Sequence, residues 1–455
     1  MTTLAPEADG GEGLLGARRT SAIACVLGAL VLVVLDAAIA NVALPAIARS
    51  LQVTPAEAVH VVTAYQMALV MTLLPCAALG ESLGHRRVYT AGIALFVGAS
   101  VLCALAPSLS FLVAARFLQG LGAAAIMSLG VALLRFSVPQ QQLGTAIGWN
   151  TLAVALSSAA GPSLGALVLS FASWPWLFAV NLPIGALVLL ATRTLPDAAG
   201  TGRELDVVSM ALNAAAFAGL VVGAELMTQR PALGGCVLVA AVGVLFALVR
   251  RETRRKAPMI PLDLLRVGSF RISVIASVCC FVGQSAATLS LPFYLQHELA
   301  RDVLQTGLLM TPWPLAVALV APLAGSLANR ISGAWLCALG GVSLALGLAS
   351  LALCRLDASP WLLVGLVALC GAGFGLFQVS NNRNLFLSAP RARSSAAGGL
   401  QGTARLTGQT LGALTMTLVF TLTSMDFAPR IGFGIAAGLT LLAGLVSTLR
   451  APQAA

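Results

Sequence analysis

Charged residues are scarce in this chain of 455 residues, where Asp, Glu, Lys and Arg together make up 9%. A soluble domain carries about 25% charged residues, so this chain lacks the polar surface that a soluble enzyme needs. A hydrophobic content of 58% also excludes an intrinsically disordered chain. The apolar residues fall in runs of about twenty, the length of a membrane-spanning helix, and not in the alternating segments of a β-barrel. The composition therefore predicts an all-α polytopic membrane protein.

Motifs for nucleotide and metal chemistry are also lacking. No G-x-x-x-x-G-K-[ST] loop is present to bind ATP phosphates, and no H-E-x-x-H motif is present to bind zinc. The nine cysteines lie almost all within apolar runs and have no metal-ligand spacing. We therefore expect them to be small packing residues, and we expect neither an enzyme, nor a metal site, nor a bound cofactor.

Fourteen apolar runs are predicted to span the membrane. If the N-terminus is cytoplasmic, 19 of the 26 Lys and Arg residues lie in cytoplasmic loops or tails, and 5 lie in outer loops. The positive-inside rule therefore predicts that both termini are cytoplasmic, and it explains the net charge of +10 without a nucleic-acid partner. The predicted spans lie near residues 21–43, 57–80, 88–106, 110–134, 142–169, 175–194, 206–227, 232–250, 270–295, 304–328, 334–354, 361–382, 396–423 and 430–449.

Two short matches within the chain indicate an internal duplication. Residues 79–81 resemble residues 327–329, and residues 161–166 resemble residues 408–413 at nearly the same offset. Spans 1–6 and 9–14 are therefore predicted to be duplicated six-helix bundles, as in many secondary transporters, with spans 7 and 8 as an insert. The predicted division is a cytoplasmic tail at 1–20, an N-terminal bundle at 21–194, an insert and cytoplasmic linker at 195–269, a C-terminal bundle at 270–450 and a tail at 451–455.

Three charged residues, Asp36, Arg116 and Arg405, lie well inside predicted spans, away from the span ends. Such charges are costly in a bilayer unless they are paired or face water, so they indicate function. We expect Asp36 of span 1 to take part in proton or substrate coupling, and we hypothesise that Arg116 of span 4 pairs with it directly or through Gln119. The alternative is a static structural ion pair. Arg405 of span 13 is expected to face the cavity, where it could meet an anionic substrate or the carbonyl groups of another helix.

Other polar residues at membrane depth are candidates for the wall of a substrate cavity. With Gln119 and Arg405, the candidate lining residues are Asn41, Tyr65, Gln66, Asn150, Gln284 and Gln378.

Five segments of the chain, in order, resemble motifs of the fourteen-helix drug:proton antiporter (EmrB/QacA-like) branch of the major facilitator superfamily. Residues 35–45 (LDAAIANVALP) resemble LDxTxxNVALP, and residues 79–87 (LGESLGHRR) resemble the loop signature GxLaDrxGrkxxl. Residues 116–123 (RFLQGLGA) resemble RxxQGxGaA, and residues 161–166 (GPSLGA) resemble the antiporter motif GPxxGG. Residues 174–185 (WPWLFAVNLPIG) resemble WRWxFxINxPxG. The resemblance extends over residues 20 to 450.

The resemblance implies the major facilitator fold with 14 transmembrane helices in a 6+2+6 arrangement. It also implies a proton-relay role for Arg116. The residues matched to the loop and antiporter motifs would then govern gating and conformational change. The chain departs from these motifs at Glu81, where the family has Asp, and at Ala166, where it has Gly. The residues with an expected gating role are Glu81, Gly84, Arg86, Arg87, Gly161, Pro162 and Gly165.

These observations together predict a proton-coupled antiporter that exports small amphipathic compounds, such as drugs, antibiotics and lipophilic cations, by alternating access. The proton gradient would supply the energy. An alternative with the same fold is a dedicated exporter of one metabolite or self-made antibiotic. A membrane sensor is a third possibility, and it would have an appended signalling domain. We expect a monomer in the bacterial cytoplasmic (inner) membrane, with a small molecule, protons and the lipid bilayer as its partners.

Overall fold

The described part of the chain is almost entirely helical in the computed structural model. It comprises residues 14–139, 143–197, 200, 205–253, 264–327, 331–354, 359–388 and 394–450, so the predicted tail at 451–455 and most of the tail at 1–20 lie outside it. The helices are α1 Gly16–Ser50, α2 Pro55–Leu83, α3 His85–Ala104, α4 Leu109–Ser137, α5 Leu143–Phe171, α6 Pro175–Ala179, α7 Asn181–Ala191, α8 Val207–Gln229, α9 Pro231–Glu252, α10 Gly268–Phe293, α11 Val303–Met310, α12 Pro312–Leu327, α13 Gly333–Ala352, α14 Pro360–Leu387, α15 Ser394–Leu422 and α16 Ala428–Thr448.

Thirteen of the fourteen predicted spans coincide with helical segments long and apolar enough to cross a membrane. Two of these spans are interrupted, since the sixth is divided into α6 and α7 and the tenth into α11 and α12. The thirteenth predicted span coincides with α15, which is 29 residues long but does not reach the same apolarity. Its first half carries Gln401, Arg405 and Gln409 among glycines and threonines, and these polar residues lower its mean hydropathy.

Local sequence explains where several of these helices begin. Thr54 precedes α2 and forms a capping box with Glu57, in which the Glu57 backbone N–H donates to Thr54 Oγ1 and the Thr54 backbone N–H donates to Glu57 Oε2 at 2.7 Å. Ser359 caps α14 through its side chain, which accepts from the Leu362 backbone N–H, and its neighbour Pro360 occupies the first turn, where a missing N–H costs nothing. Short connections such as residues 51–54 make consecutive spans antiparallel.

Apolar packing joins the two bundles most extensively at one end. We call the face at which α1 begins the near face, and the opposite one the far face. Towards the far face, a single cluster of buried side chains includes Leu44 and Val61 of the N-terminal bundle together with Leu291 and Phe293 of α10. Towards the near face, the described side chains form two separate clusters, with Leu406 of α15 in the N-terminal one. The bundles are therefore closed against each other at the far face.

The helix pair α8 and α9 packs beside this arrangement, and α8 is attached to α2 at two points. His60 of α2 forms an ion pair with Glu225 of α8. Asn213 Nδ2 donates to the carbonyl oxygen of Met71 at 2.8 Å. Against α15 the same helix forms a small apolar crevice, in which Phe217 faces the α15 segment around Thr407. The first helix of the predicted insert thus covers the seam between α2 and α15.

The second seam between the bundles joins α5 to α11. Ser163 Oγ and Thr311 Oγ1 are 2.5 Å apart across it and share a hydrogen bond. Gly307 of α11 lies against the carbonyl oxygen of Pro162 and the methyl group of Ala166. A Cβ atom at position 307 would come within 2.4 Å of the Ala166 Cβ, so only glycine permits this close approach.

Candidate functional site

The predicted pair of intramembrane charges is in direct contact. Arg116 Nη1 of α4 donates to Asp36 Oδ2 of α1 at 2.5 Å. Both side chains are 1% exposed, so the ion pair is sealed from solvent in this conformation. An isolated charge at this depth is costly, and pairing removes most of that cost. The contact between the two residues is therefore as hypothesised, whereas a role in proton coupling stays a prediction.

Two amides complete the hydrogen bonding of the Asp36 carboxylate. Gln119 Nε2 donates to Asp36 Oδ1 at 3.0 Å, and Asn181 Nδ2 donates to the same oxygen at 2.7 Å. The Gln119 Oε1 atom accepts from Arg116 Nη1 at 2.5 Å, and its Nε2 also donates to Ser100 Oγ at 2.9 Å. A carboxylate with three donors is stabilised in its ionised form. Three side-chain donors thus converge on the Asp36 carboxylate in this conformation.

The guanidinium of Arg116 is also enclosed on its other sides. Its Nε donates to the carbonyl oxygen of Val61 at 3.3 Å. The ring of Tyr65 lies 4.2 Å from the guanidinium carbon and that of Phe178 lies 5.5 Å away, both within the range of cation–π attraction. Four helices, α1, α2, α4 and the broken pair α6–α7, therefore surround one ion pair.

The glycines of the 161–166 segment pack α5 directly beside Asp36. A Cβ atom at Gly161 would lie 2.3 Å from the Ala38 Cβ, and one at Gly165 would lie 3.3 Å from Ile39. Both partners are on α1, two and three residues after the carboxylate. The opposite side of the same segment, through the carbonyl oxygen of Pro162, faces α11 across the seam. A movement of α5 relative to the C-terminal bundle would therefore be transmitted to the backbone that carries Asp36.

The loop between α2 and α3 lies at the near face. Gly84 has a φ of 102°, in the region that favours glycine, and it ends α2 and begins α3 without an intervening segment. Arg86 lies 4.0 Å from Asp197, which follows the end of α7, and this pair is largely solvent-exposed. Glu81 and Arg87 are exposed. The positive φ at position 84 thus explains why this residue is glycine, while a gating role for the residues of this loop stays a prediction.

The predicted cavity residues differ in their surroundings. Gln119 has no exposed surface in this conformation and belongs to the ion-pair network, and its role as a lining residue stays a prediction. Tyr65 is 3% exposed and lies against Arg116, so most of its side chain is also buried. Its hydroxyl group has no partner among the described residues, and neither has the enclosed side-chain oxygen of Asn41 or of Gln66. The half-buried candidates are Asn41, Gln66, Asn150, Gln284, Gln378 and Arg405.

Polar contacts reinforce the closure at the far face. Arg49 Nη2, at the end of α1, donates to Gln296 Oε1 at 3.3 Å and so joins the two bundles. Gln296 lies in a turn of π-helix, Tyr294–Glu298, which continues α10. In the same turn Glu298 Oε2 accepts from Arg430 Nε at 2.6 Å. Turns of π-helix often occur at functional sites, and this one holds the contact that must break if the far face opens.

Sequence reasoning missed Asn181 and Ser100 as members of the ion-pair network. Asn181 was visible within the 174–185 motif, but nothing in a single sequence indicates that it reaches Asp36, 145 residues earlier in the chain. Asn181 is the first residue of α7, directly after Val180, and its side chain reaches the carboxylate from there. Ser100 occurs in an apolar run of α3 and gives no comparable signal.

Comparison with known proteins identifies relatives that match nearly the whole chain. The family model described as Major Facilitator Superfamily matches residues 26–413, with a second match at 273–454. The protein named "Uncharacterized transporter YebQ" of Escherichia coli is 43% identical over 97% of this chain and 98% of its own length. "Multidrug resistance protein Stp" of Mycobacterium tuberculosis is 34% identical over 86% of this chain and 73% of its own length.

A solved structure shares the fold. The structure titled "Crystal structure of peptide transporter POT in complex with sulfate" aligns with a TM-score of 0.71 over 94% of this chain and 93% of that one, at 14% sequence identity. At this identity the likeness establishes the architecture alone. The helical, multi-pass transporter fold expected from the sequence is therefore confirmed, and the relatives are transporters rather than enzymes.

Proposed function

The chain belongs to the Major Facilitator Superfamily, and from that membership we propose that it is a proton-coupled antiporter that exports small amphipathic compounds by alternating access. It would belong to the fourteen-helix drug:proton antiporter branch and act in the bacterial cytoplasmic membrane, with the near face towards the cytoplasm. A relative named for multidrug resistance supports an export function. The observation that carries the proposal is the sealed contact between Asp36 and Arg116.

In the proposed cycle, the described conformation is the one that receives substrate from the cytoplasm. Asp36 is ionised and held by three donors, and the far face is closed by the apolar cluster and by the Arg49–Gln296 contact. A proton from outside the cell can reach Asp36 only when the far face opens. Protonation would neutralise the carboxylate, weaken its attraction to Arg116 and favour release of the compound outward. Return of the proton to the cytoplasm would restore the ion pair, so the pH gradient drives the cycle without ATP.

Structural features of the network suit this role. Arg116 cannot usefully deprotonate, so Asp36 is the group that carries the proton. The carboxylate is shared by α1, α4 and α7, and α1 packs through Ala38 and Ile39 on α5, which forms a seam with the other bundle. A change in the charge of Asp36 is therefore coupled to the interface that must rearrange during transport.

The test uses inverted membrane vesicles energised by a proton gradient, with a panel of lipophilic cations, zwitterions and anions. Proton release on addition of a compound reports antiport. We expect wild-type vesicles to respond and Asp36→Asn vesicles not to respond. Asp426→Asn is the matched control, because it makes the same change at an exposed position, and it should respond as wild type does. Normal transport against a gradient by Asp36→Asn would overturn the proposed coupling.

A dedicated exporter of one metabolite remains the second candidate, and one observation favours it. The half-buried guanidinium of Arg405 has no protein partner among the described residues, which suits a specific anionic group better than a broad set of cations. A response confined to one chemical class in the vesicle panel would select this candidate.

A further inference from the structure

Arg405 differs from Arg116 in having no partner among the described residues. Its guanidinium makes neither a hydrogen bond nor an ion pair with any residue that the structure describes, although it is half-buried in the first half of α15. Arg116, in contrast, contacts a carboxylate, an amide oxygen and a backbone carbonyl. A cation at membrane depth is stabilised by a counter-charge or by water in a cavity. Within the described part of the chain, Arg405 is therefore a cation without a counter-ion.

The packing of α15 shows the direction in which Arg405 projects. Gly402 packs on α2, while Gly408 and Gly412 pack on α10. With 100° of rotation per residue, Arg405 lies between these two directions and therefore faces the space between α2 and α10. Gln409 lies one turn further along on the same side, and its side-chain amide has no hydrogen bond to a described residue. A guanidinium and an amide without partners among the described residues thus project from one side of α15, between α2 and α10.

A third free polar group faces them from the N-terminal bundle. Leu73 of α2 contacts Gly402, and the two helices run in opposite directions. Gln66 lies seven residues before Leu73, about 10 Å along α2, and Gln409 lies the same distance beyond Gly402 on α15, so the two glutamines are at one level. The Gln66 Oε1 atom is enclosed and has no partner in the described structure. The C-terminal bundle thus presents the Arg405 guanidinium and the Gln409 amide, and the N-terminal bundle presents the Gln66 Oε1 atom as an acceptor without a partner among the described residues.

We propose that Arg405, with Gln409 and Gln66, binds the anionic group of the transported compound, so that the substrates are amphipathic organic anions such as carboxylates. This substrate class rests on the proposed transport function. A guanidinium binds a carboxylate with two parallel hydrogen bonds, and the amides can bind neighbouring polar atoms. The Asp36–Arg116 pair is neutral as a whole, so it does not compensate the charge of Arg405. Lipophilic cations would be repelled from this site.

Three dansyl compounds test the proposal because they share a fluorophore and differ in charge. Dansyl-leucine is an anion at pH 7, its methyl ester is neutral, and dansylcadaverine is a cation. We would titrate each into purified full-length protein in detergent and follow dansyl fluorescence. The wild type should bind dansyl-leucine about tenfold or more tightly than the ester, and bind the cation most weakly. Arg405→Gln should remove this preference, while Arg405→Lys should keep part of it.

Controls keep the proposal separate from folding and from proton coupling. Arg230→Gln removes one positive charge at the exposed junction of α8 and α9 and should bind as wild type does. Equal binding of the three compounds by the wild type, no binding of any, or unchanged dansyl-leucine binding by Arg405→Gln would overturn the proposal.

Because binding in detergent needs no proton gradient, the two proposals fail separately. Anion binding that depends on Arg405, without proton release in vesicles, would refute antiport and leave the substrate class standing. Proton release with cations, unchanged in Arg405→Gln, would refute the substrate class and leave antiport standing.

Discussion

Asp36→Asn neutralises the carboxylate that faces Arg116 and leaves the guanidinium buried without its counter-charge. The variant keeps the shape of the side chain, and the amide oxygen can still accept one hydrogen bond. Breaking a buried ion pair from one side costs about 3–5 kcal/mol. The range for a fully buried pair applies here, because both side chains are 1% exposed. We therefore expect a lower free energy of unfolding, measured as a lower melting temperature of purified protein by tryptophan fluorescence.

The cost of about 3–5 kcal/mol also gives the expected shift between the closed and open conformations of the far face. Protonation of Asp36 makes nearly the same charge change as the substitution, so it should penalise the conformation with a closed far face by a similar amount. A penalty of 3–5 kcal/mol corresponds to between about two and four orders of magnitude in the equilibrium between conformations. If the alternative conformation does not need the ion pair, Asp36→Asn should open the far face.

Thiol labelling reads this shift directly. In a background without the native cysteines, Gln296→Cys replaces a residue of the far-face contact with Arg49. A membrane-impermeant maleimide should label it much faster when Asp36→Asn is also present. The double variant Asp36→Asn/Arg116→Gln removes both charges, and it should recover most of the melting temperature while remaining inactive in proton-driven transport. An unchanged melting temperature and labelling rate in Asp36→Asn, or proton-coupled transport by the double variant, would refute this reasoning.

Three further substitutions test other parts of the structure. Gly307→Val places a side chain against Ala166 across the α5–α11 seam, where overpacking costs about 1–3 kcal/mol, and should also raise far-face labelling; equal labelling would show that the seam is looser than described. Asn181→Ala removes a 2.7 Å donor to the ionised carboxylate and should destabilise the protein by about 1.5–3 kcal/mol, less than Asp36→Asn; an equal melting temperature to wild type would contradict this. Gly84→Ala forces a φ of 102° on a residue with a Cβ and should cost about 1–2 kcal/mol, whereas Gly98→Ala, in open space, is its matched control.

Much of the fold could be predicted from the sequence because membrane helices must satisfy every backbone polar group internally, which makes apolar runs reliable indicators of helices. The breaks at Val180 and Thr311 were not predicted, since the apolar runs continue through both. The first half of α15 shows the opposite case. The helix is present there, although the segment is less apolar than the other spans. The hydropathy of a segment thus indicates whether it lies in a membrane better than it indicates whether its helix is continuous.

The residues of the candidate site that the sequence identified are those whose burial in a membrane costs the most free energy. Asp36 and Arg116 were identified because a charge at membrane depth needs a reason, and the two side chains are indeed in contact. Asn181 and Ser100 were missed because neutral polar residues are common in membrane helices and have no such cost. Gln119 was predicted both as a bridge within the pair and as a cavity residue, since the sequence does not show which side of α4 faces the cavity.

The two seams between the bundles are held by different kinds of contact, and this difference has a mechanical consequence. The ion pair and the hydrogen bond of α8 described above both attach it to α2, while its crevice with α15 is apolar. Apolar contact has no preferred direction, so α8 can move with the N-terminal bundle and slide along α15 of the C-terminal bundle. The α5–α11 seam has a directional hydrogen bond and interlocked small residues, so it holds or releases in one step. A relative movement of the bundles would therefore leave α8 over the α2–α15 seam, whereas it would have to separate the α5–α11 contacts.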